Sequence, residues 1–198
     1  DPFLRVLVCV KRVPLTGGRI VLTEDAQAIE TRHLGFTISP HEECGVEEAV
    51  RIVERQGGEV TVLTLGPPEA EEQLRDAMAI GIDRAIHRVT GQEEWDPQAT
   101  AAAVLEAIRE DESGNGAFDL VFFGGMDAQG GPMAKQMKEL GIKAKFLGGD
   151  GVCTPEFMKL GGEAAEGNYC SLPGMPLEKL AKGPEFKDKF TKKFGMDI

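Results

Sequence analysis

The amino-acid sequence predicts an α/β protein with a single doubly wound parallel sheet. Short apolar runs rich in valine, leucine and isoleucine alternate along the chain with longer segments in which apolar residues recur at helical spacing. Turns that contain glycine or proline separate these segments. A chain of 198 residues, 41% of them hydrophobic, suits one domain with a sizeable core. We therefore expect residues 1–198 to form one domain, with helices on both faces of the sheet.

The first part of the chain is predicted to supply four strands and three helices. The strands are at 4–10, 60–65, 84–89 and 118–123, and the helices are at 42–56, 69–80 and 96–108. The first helix follows Ser39-Pro40 and carries acids in its early turns, as the helix dipole favours. Pro97 opens the third helix. Residues 19–23 are interpreted as a hairpin arm, and residues 110–116 as an acidic, glycine-containing loop.

The alternation continues to the end of the chain. Helices are predicted at 132–140, 155–160 and 184–194, and strands at 143–147 and, weakly, at 169–172. This order is typical of a Rossmann-like or flavodoxin-like three-layer α/β/α sandwich. Such sheets bind ligands at the carboxyl ends of their strands, which directs attention to the loops at 11–18, 38–45, 65–68, 124–132 and 148–154.

Composition excludes several classes of function. The formal net charge of −11 argues against a nucleic-acid binder, because phosphate neutralisation needs clustered lysine and arginine. No apolar run approaches the roughly 18 residues of a membrane span, so membrane insertion is not expected. Four cysteines are too few for a disulfide scaffold of this size. No signal peptide stands at the start, and we expect a cytoplasmic protein.

Basic residues are distributed unevenly along the chain. Residues 1–124 contain ten arginines and one lysine, whereas residues 125–198 contain eleven lysines and no arginine. The net charge is −12 before this change and +1 after it. Arginine and lysine are not physically equivalent. Even so, no single fold requires arginine in its first part and only lysine in its second. Drift within one gene is one explanation, and a join of two ancestries near residues 122–125 is the other.

Several loops contain groups that could meet an anion. The candidate glycines are Gly17-Gly18, Gly66, Gly124-Gly125 with Gly130-Gly131, and Gly148-Gly149. None of them forms a G-x-G-x-x-G or Walker motif, and each could equally be a turn residue. Lys11 and Arg12 follow the first strand and could meet an anion at the sheet edge or be solvated loop charges.

The sequence contains no convincing metal or catalytic motif. His41, Glu42, Glu43 and Cys44 form one short cluster at a helix start, where acids are favoured in any case. Glu47 and Glu48 are adjacent on a helix and do not face each other. Cys9 lies in a buried strand and is interpreted as packing. We therefore expect a protein that is not an enzyme and holds no metal.

Residues 1–124 resemble the β subunit of electron transfer flavoprotein. The matching segments are Val6 to Pro14, Cys44 to Arg51, Thr64 to Pro67, Leu74 to His87, and Asp119 to Gly124. The resemblance implies a fold that holds AMP, beside a partner α subunit that helps to hold FAD. On matching positions the AMP contacts would be Cys9, Ser39, Pro40, His41, Glu42, Leu65, Gly66 and Gly124.

This first part departs from the family pattern at several positions. Ser39 replaces the usual asparagine before Pro40, and Leu15 replaces an acid after Pro14. The long polar loop expected after Gly124, which would close over the phosphate, is absent. We therefore expect AMP to bind weakly and FAD not to bind without a partner subunit. The flavoprotein α subunit is not expected to be engaged.

Residues 124–198 resemble the C-terminal lobe of periplasmic branched-chain amino-acid binding proteins, the receptors of ABC transporters. The matching segments are Gly124 to Met133, Gln136 to Gly141, Leu147 to Gly151, Gly162 to Gly167, and Pro184 to Phe190. The resemblance implies a ligand half-site at Met126 and Asp150. The second lobe is missing, so the transporter permease is not expected to be engaged. An oxidising compartment would be natural for this family, and Cys153 and Cys170 could then pair.

Together these observations favour a chimera, engineered or recombined, with no intact native activity and weak AMP binding in its first part. Two alternatives remain: an electron carrier of the flavoprotein type, and a binding module for branched-chain amino acids. Both halves are α/β layers, so a join near Gly124 would keep one parallel sheet. An unpaired edge strand would favour self-association.

Overall fold

A six-stranded parallel sheet forms the centre of the structure, a computed structural model that describes residues 3–15, 17, 19–91 and 95–196. The strands are β1 (Leu4–Val10), β4 (Gly58–Gly66), β5 (Arg84–Val89), β6 (Leu120–Phe123), β7 (Lys145–Gly148) and β8 (Tyr169–Cys170). Two short strands, β2 (Arg12–Pro14) and β3 (Phe36–Ile38), pair antiparallel beside this sheet. Gly18, one of the candidate phosphate-loop glycines, lies outside the described residues.

The order of the central strands is β5-β4-β1-β6-β7-β8, and all neighbouring pairs are parallel. Counted along the chain among themselves, these strands have the order 3-2-1-4-5-6 of the Rossmann fold. The predicted fold class is therefore confirmed. The direction of winding reverses between β1 and β6, which makes the carboxyl ends of these two strands the switch point of the sheet.

Six helices accompany the strands in the described ranges. They are α1 (Pro40–Gln56), α2 (Glu71–Ile80), α3 (Pro97–Asn115), α4 (Asp127–Glu139), α5 (Pro155–Gly161) and α6 (Gly183–Phe194). Ser39 caps α1 by accepting the N–H of Glu42 at its hydroxyl, and Asp96 caps α3 through the N–H groups of Gln98 and Ala99. These caps explain why the two helices begin at Pro40 and Pro97.

Alternate residues of β1 serve two different apolar layers. Val6, Val8 and Val10 pack on the α1 and α2 side, whereas Leu7 and Cys9 pack on the other side. The second layer also includes Leu63, Leu105, Phe118, Met133, Met137, Phe146 and Phe157. Strand β1 is buried on both faces because helices cover both, which matches its continuous apolar sequence.

The prediction of a loop at 110–116 is wrong for most of its length, because α3 continues to Asn115. Tertiary ion pairs hold its last turns. Asp111 accepts hydrogen bonds from Arg5, at 2.8 Å, and from Arg84. Both arginines lie at the amino ends of strands, so the acidic end of α3 is fastened to the sheet.

The prediction that a helix begins at Pro132 is also wrong, since α4 begins at Asp127 and contains Pro132 in its interior. Gly130 and Gly131 are buried within α4. A Cβ at Gly130 would crowd Val152, and one at Gly131 would crowd Leu160. These two glycines therefore allow α4 to approach its neighbours closely and do not form a phosphate loop.

Two of the predicted strands are shorter than expected. The hairpin arm at 19–23 is reduced to a single antiparallel bridge between Leu22 and Ile29. The weak strand at 169–172 is reduced to the two residues of β8 at the sheet edge. No helix within the described ranges is long and apolar enough to cross a membrane.

Candidate functional site

A cleft of about 1260 Å³ opens at the carboxyl ends of the central strands, beside the switch point between β1 and β6. Its floor consists of the last residues of β1, β4 and β6, including Cys9, Leu65, Gly66 and Phe123. Residues 26–29, with Leu34 and Phe36, form one wall from the segment that ends in β3. A cleft in this position is where doubly wound sheets bind their ligands.

Glu42 is a buried carboxylate at the cleft, and it is neutralised by Lys11. The side chain of Glu42 is 4% exposed, and its Oε1 lies 2.6 Å from Lys11 Nζ. Its Oε2 accepts the backbone N–H of Lys11 at 3.0 Å. Gly124 lies against the same side chain, because a Cβ at this position would overlap Cγ of Glu42. Glu42 therefore links the start of α1 to the ends of β1 and β6.

Arg12 is the second cation at the end of β1, and its environment differs from that of Lys11. Its guanidinium carbon lies 3.3 Å from the centroid of the Phe36 ring. Its Nε is buried and has no hydrogen-bond partner in the part of the chain that the structure describes. Gln129 also lines the cleft, and its buried Oε1 likewise has no hydrogen-bond partner among the described residues.

Cys9 lines the cleft as a neutral thiol. Burial, together with the nearby charge of Glu42, raises the pKa of Cys9 to about 12. A thiol with such a pKa is not a nucleophile at neutral pH. Among the described residues, no group of three or more histidine, cysteine, aspartate or glutamate side chains could hold a metal ion.

The amino ends of the helices near the cleft are occupied by side-chain oxygens. Ser39 Oγ accepts the N–H of Glu42 at 3.4 Å. Asp127 Oδ1 accepts the N–H of Ala128 at 2.8 Å, and its Oδ2 accepts the hydroxyl of Thr154. These helix ends consequently offer an anion fewer free backbone donors than an uncapped helix would.

The structure brings some of the predicted site residues together and leaves others apart. Those that line the cleft are Cys9, Glu42, Leu65, Gly66 and Met126. Those that do not line it are Ser39, Pro40, His41, Gly124 and Asp150. Ser39 and Gly124 still act on the cleft through Glu42. The assignment of all ten residues to ligand binding stays a prediction.

Several residues that line the cleft were not predicted from the sequence. They are Phe36, Thr90, Trp95 and Gln129. The single tryptophan of the chain was the available signal, since a large aromatic residue next to a predicted helix start is unusual on a free surface. The position of Phe36 depends on the pairing of β2 with β3, which the sequence pattern did not indicate.

The two residues of the expected amino-acid half-site do not share one pocket. Met126 lines the cleft, whereas Asp150 is exposed and begins a short 3-10 turn outside it. Cys153 and Cys170 form a disulfide with their Cα atoms 5.6 Å apart. The pairing that the sequence left open is thus present, and it joins the start of α5 to the edge strand β8.

The model of the electron transfer flavoprotein domain matches residues 28–139. This is more than half of the chain, and it includes β3 to β6 and the parts of the cleft floor that β4 and β6 supply. The chain belongs to the electron transfer flavoprotein domain family. The family match continues past Gly124 to the end of α4, beyond the point at which lysine replaces arginine.

Relatives of this chain include subunits of electron-transfer proteins. Protein FixA of Sinorhizobium fredii is 36% identical over 144 residues, which cover 68% of this chain and 49% of the relative. The electron transfer flavoprotein subunit beta of Thermoanaerobacterium thermosaccharolyticum is 33% identical over 146 residues, covering 69% of this chain and 53% of the relative. The chain therefore spans about half of the length of these relatives.

Solved structures similar to the chain include a leucine binding protein and a branched-chain amino acid ABC transporter protein. The leucine binding protein LivK of Thermotoga maritima matches with a TM-score of 0.47 and 18% identity, covering 77% of this chain and 43% of that one. A branched-chain amino acid ABC transporter protein of Thermus thermophilus with bound valine matches with a TM-score of 0.49 and 20% identity, covering 76% and 38%.

Proposed function

We propose that this chain is a nucleotide-binding module of the electron transfer flavoprotein type, and that it binds AMP weakly in the cleft. The observation that carries the proposal is the position of the cleft at the switch point of a sheet in this family. Electron transfer by a bound FAD is not part of the proposal for the chain alone, because the family's flavin site is completed by another subunit.

The size and chemistry of the cleft fit a nucleotide. Its volume of about 1260 Å³ exceeds what one base, ribose and phosphate need. Trp95 lines the cleft and offers an aromatic face for a base. Arg12 also lines the cleft, and no described carboxylate pairs with its guanidinium, whose N–H groups could bind a phosphate.

The same structure explains why the affinity should be low. Asp127 and Ser39 already hold backbone N–H groups at the ends of α4 and α1. Helix α4 begins three residues after Gly124, which leaves no loop to close over a phosphate. We expect a dissociation constant near 1 mM, which corresponds to about 4 kcal/mol of binding free energy.

We also propose that residues 125–198 have a different ancestry from residues 1–124. The division of arginine and lysine between the two parts supports this proposal. Strand β6 pairs with both β1 and β7, so a join after β6 leaves the sheet continuous. Such a chimera would have the fold of its family without its complete activity.

The experiment that tests AMP binding is a titration followed by the fluorescence of Trp95, the single tryptophan. Native mass spectrometry of the purified protein first checks for bound AMP or flavin. We expect a saturable change with AMP in the millimolar range. Leu65→Glu, which places a carboxylate on the cleft floor, should weaken binding at least about ten-fold.

Leu172→Glu is the matched control, because Leu172 is exposed and does not line the cleft. Far-UV circular dichroism verifies that both variants are folded. Absence of any saturable change in the wild-type protein, or equal AMP binding by folded Leu65→Glu, would show that the cleft is not a nucleotide site.

A further inference from the structure

Two cations follow β1, and among the described residues Lys11 has a carboxylate partner whereas Arg12 has none. Lys11 Nζ is 2.6 Å from Glu42 Oε1, so its charge is balanced by a buried carboxylate. Arg12 makes no ion pair or side-chain hydrogen bond with any described residue. The cleft is thus left with one guanidinium whose charge has no counterpart within the described part of its walls.

The contact between Arg12 and Phe36 holds this guanidinium in a defined place. The ring of Phe36 lies 3.3 Å from the guanidinium carbon, and β2 and β3, which carry the two residues, are paired. Stacking on an aromatic face leaves the in-plane N–H groups available for an acceptor. Planar guanidinium groups bind phosphate through two parallel hydrogen bonds, which are about twice as strong as neutral ones.

The usual alternative for an anion, the amino end of a helix, is less available here. Asp127 takes the N–H of Ala128, and its negative charge lies at the start of α4, on the cleft side of β6. Glu42 adds a second carboxylate at the start of α1. An anion in the cleft would therefore depend on Arg12 more than on backbone amides.

We propose that Arg12 is the residue through which the cleft selects a phosphorylated, anionic ligand over its uncharged nucleoside. This inference rests on the proposed nucleotide binding and adds the residue that recognises the phosphate. The guanidinium would bind the phosphate while the apolar wall and Trp95 bind the base. Loss of Arg12 should then affect AMP and leave adenosine unchanged.

The test compares AMP with adenosine in four proteins by Trp95 fluorescence. The variants are Arg12→Met, which keeps an apolar stem, Arg12→Lys, which keeps the charge, and the control Arg75→Met. Arg75 is exposed on α2, pairs with Glu71 and does not line the cleft. We expect wild-type protein and Arg75→Met to bind AMP about ten-fold more tightly than adenosine.

In Arg12→Met this preference should fall to about one, with the adenosine affinity unchanged. Arg12→Lys should give an intermediate preference that decreases as salt is raised. If Arg12→Met does not fold, Arg12→Lys and the salt dependence of AMP binding to the wild-type protein decide the matter.

Three results would overturn the inference, and each of them points to a different conclusion. Equal binding of AMP and adenosine by the wild-type protein would refute anion selection while leaving nucleoside binding intact. An equal loss of both ligands in folded Arg12→Met would assign Arg12 to packing alone. Failure of both ligands to bind the wild-type protein would refute the proposed function itself.

Discussion

Gly124 lacks a Cβ, and this allows the Glu42 side chain to pack directly against the backbone at the end of β6. A Cβ here would overlap Cγ of Glu42 and lie 3.4 Å from its Oε1. Gly124→Ala should therefore displace the Glu42 carboxylate from Lys11 and lower the free energy of unfolding by about 1–3 kcal/mol. Urea unfolding measures this change.

The matched control is Gly149→Ala. A Cβ at Gly149 would meet no atom within 4 Å, and the backbone there has a negative φ of −77°. We expect this variant to unfold within about 0.5 kcal/mol of the wild-type protein. A Gly124→Ala variant as stable as Gly149→Ala would mean that Glu42 and Gly124 are not tightly packed.

The four cysteines should differ sharply in reactivity. Cys9 is buried with a pKa of about 12, Cys44 is exposed, and the other two form a disulfide. Iodoacetamide at pH 8 should add one group to the native protein, at Cys44. Unfolding without a reductant should raise the number to two, and reduction should raise it to four. Intact-mass measurement counts the adducts, and modification of Cys9 in the native protein would contradict the burial of β1.

The sequence predicted several of the residues that line the cleft, but not the contacts that those residues make. Cys9, Leu65 and Gly66 were predicted from the resemblance to the flavoprotein β subunit, and the structure places them at the cleft near the ends of β1 and β4. The stacking of Arg12 on Phe36 depends on a pairing between segments 24 residues apart, which leaves no local periodicity. Gln129 Oε1 has no hydrogen-bond partner in the described part of the chain, which is a property of packing and has no sequence signature.

At the scale of elements, the end of α3 is fixed by charge. Burial opposes the ionisation of Asp111, but hydrogen bonds and charges from Arg84 and Arg5 outweigh it and lower the pKa of Asp111. Because its pKa is lower when folded than when unfolded, the stabilisation is present above the unfolded pKa of about 3.9. It is lost as the pH falls through the folded pKa.

Asp111→Asn should make stability less dependent on pH in this acidic range. At pH 7 it should cost about 3 kcal/mol, because Arg5 keeps a buried charge with one partner fewer. Urea unfolding between pH 7 and pH 3 measures both effects. Asp76→Asn, at an exposed position of α2, is the control and should retain the wild-type pH dependence. A pH dependence unchanged in Asp111→Asn would exclude this carboxylate as the cause.

The same contacts explain where the prediction of elements failed. Strand β5 has the predicted bounds because the turn at Gly81 before it and the polar residues after it are local signals. The last turns of α3 depend on Arg5 and Arg84, which are distant in sequence. The first turn of α4 depends on close packing of Gly130 and Gly131 against α5 and Val152. Glycine followed by proline normally indicates a turn, and only the tertiary packing reverses that expectation.

At the scale of the whole molecule, both parts of the chain contribute to one apolar layer. Leu7 and Leu63 from the first part belong to the same cluster as Met133, Phe146 and Phe157 from the second. The opposite layer, with Val8 and Val46, uses residues of the first part. Removal of residues 125–198 would thus expose the part of this layer that Met133, Phe146 and Phe157 bury, while Leu105 and Ile108 of α3 would remain in it.

This shared layer leads us to expect one cooperative unfolding transition for residues 1–198. Unfolding followed by Trp95 fluorescence, which reports on the first part, should coincide with hydrogen exchange of buried amides in β7. Phe146→Ala should lower the free energy of unfolding by about 3 kcal/mol in both readouts, since Phe146 is buried in that layer. Phe186→Ala, at an exposed position of α6, should leave both readouts unchanged. If Phe146→Ala destabilised β7 without affecting the transition at Trp95, the two parts would be independent folding units, and the join would preserve the sheet without coupling its halves.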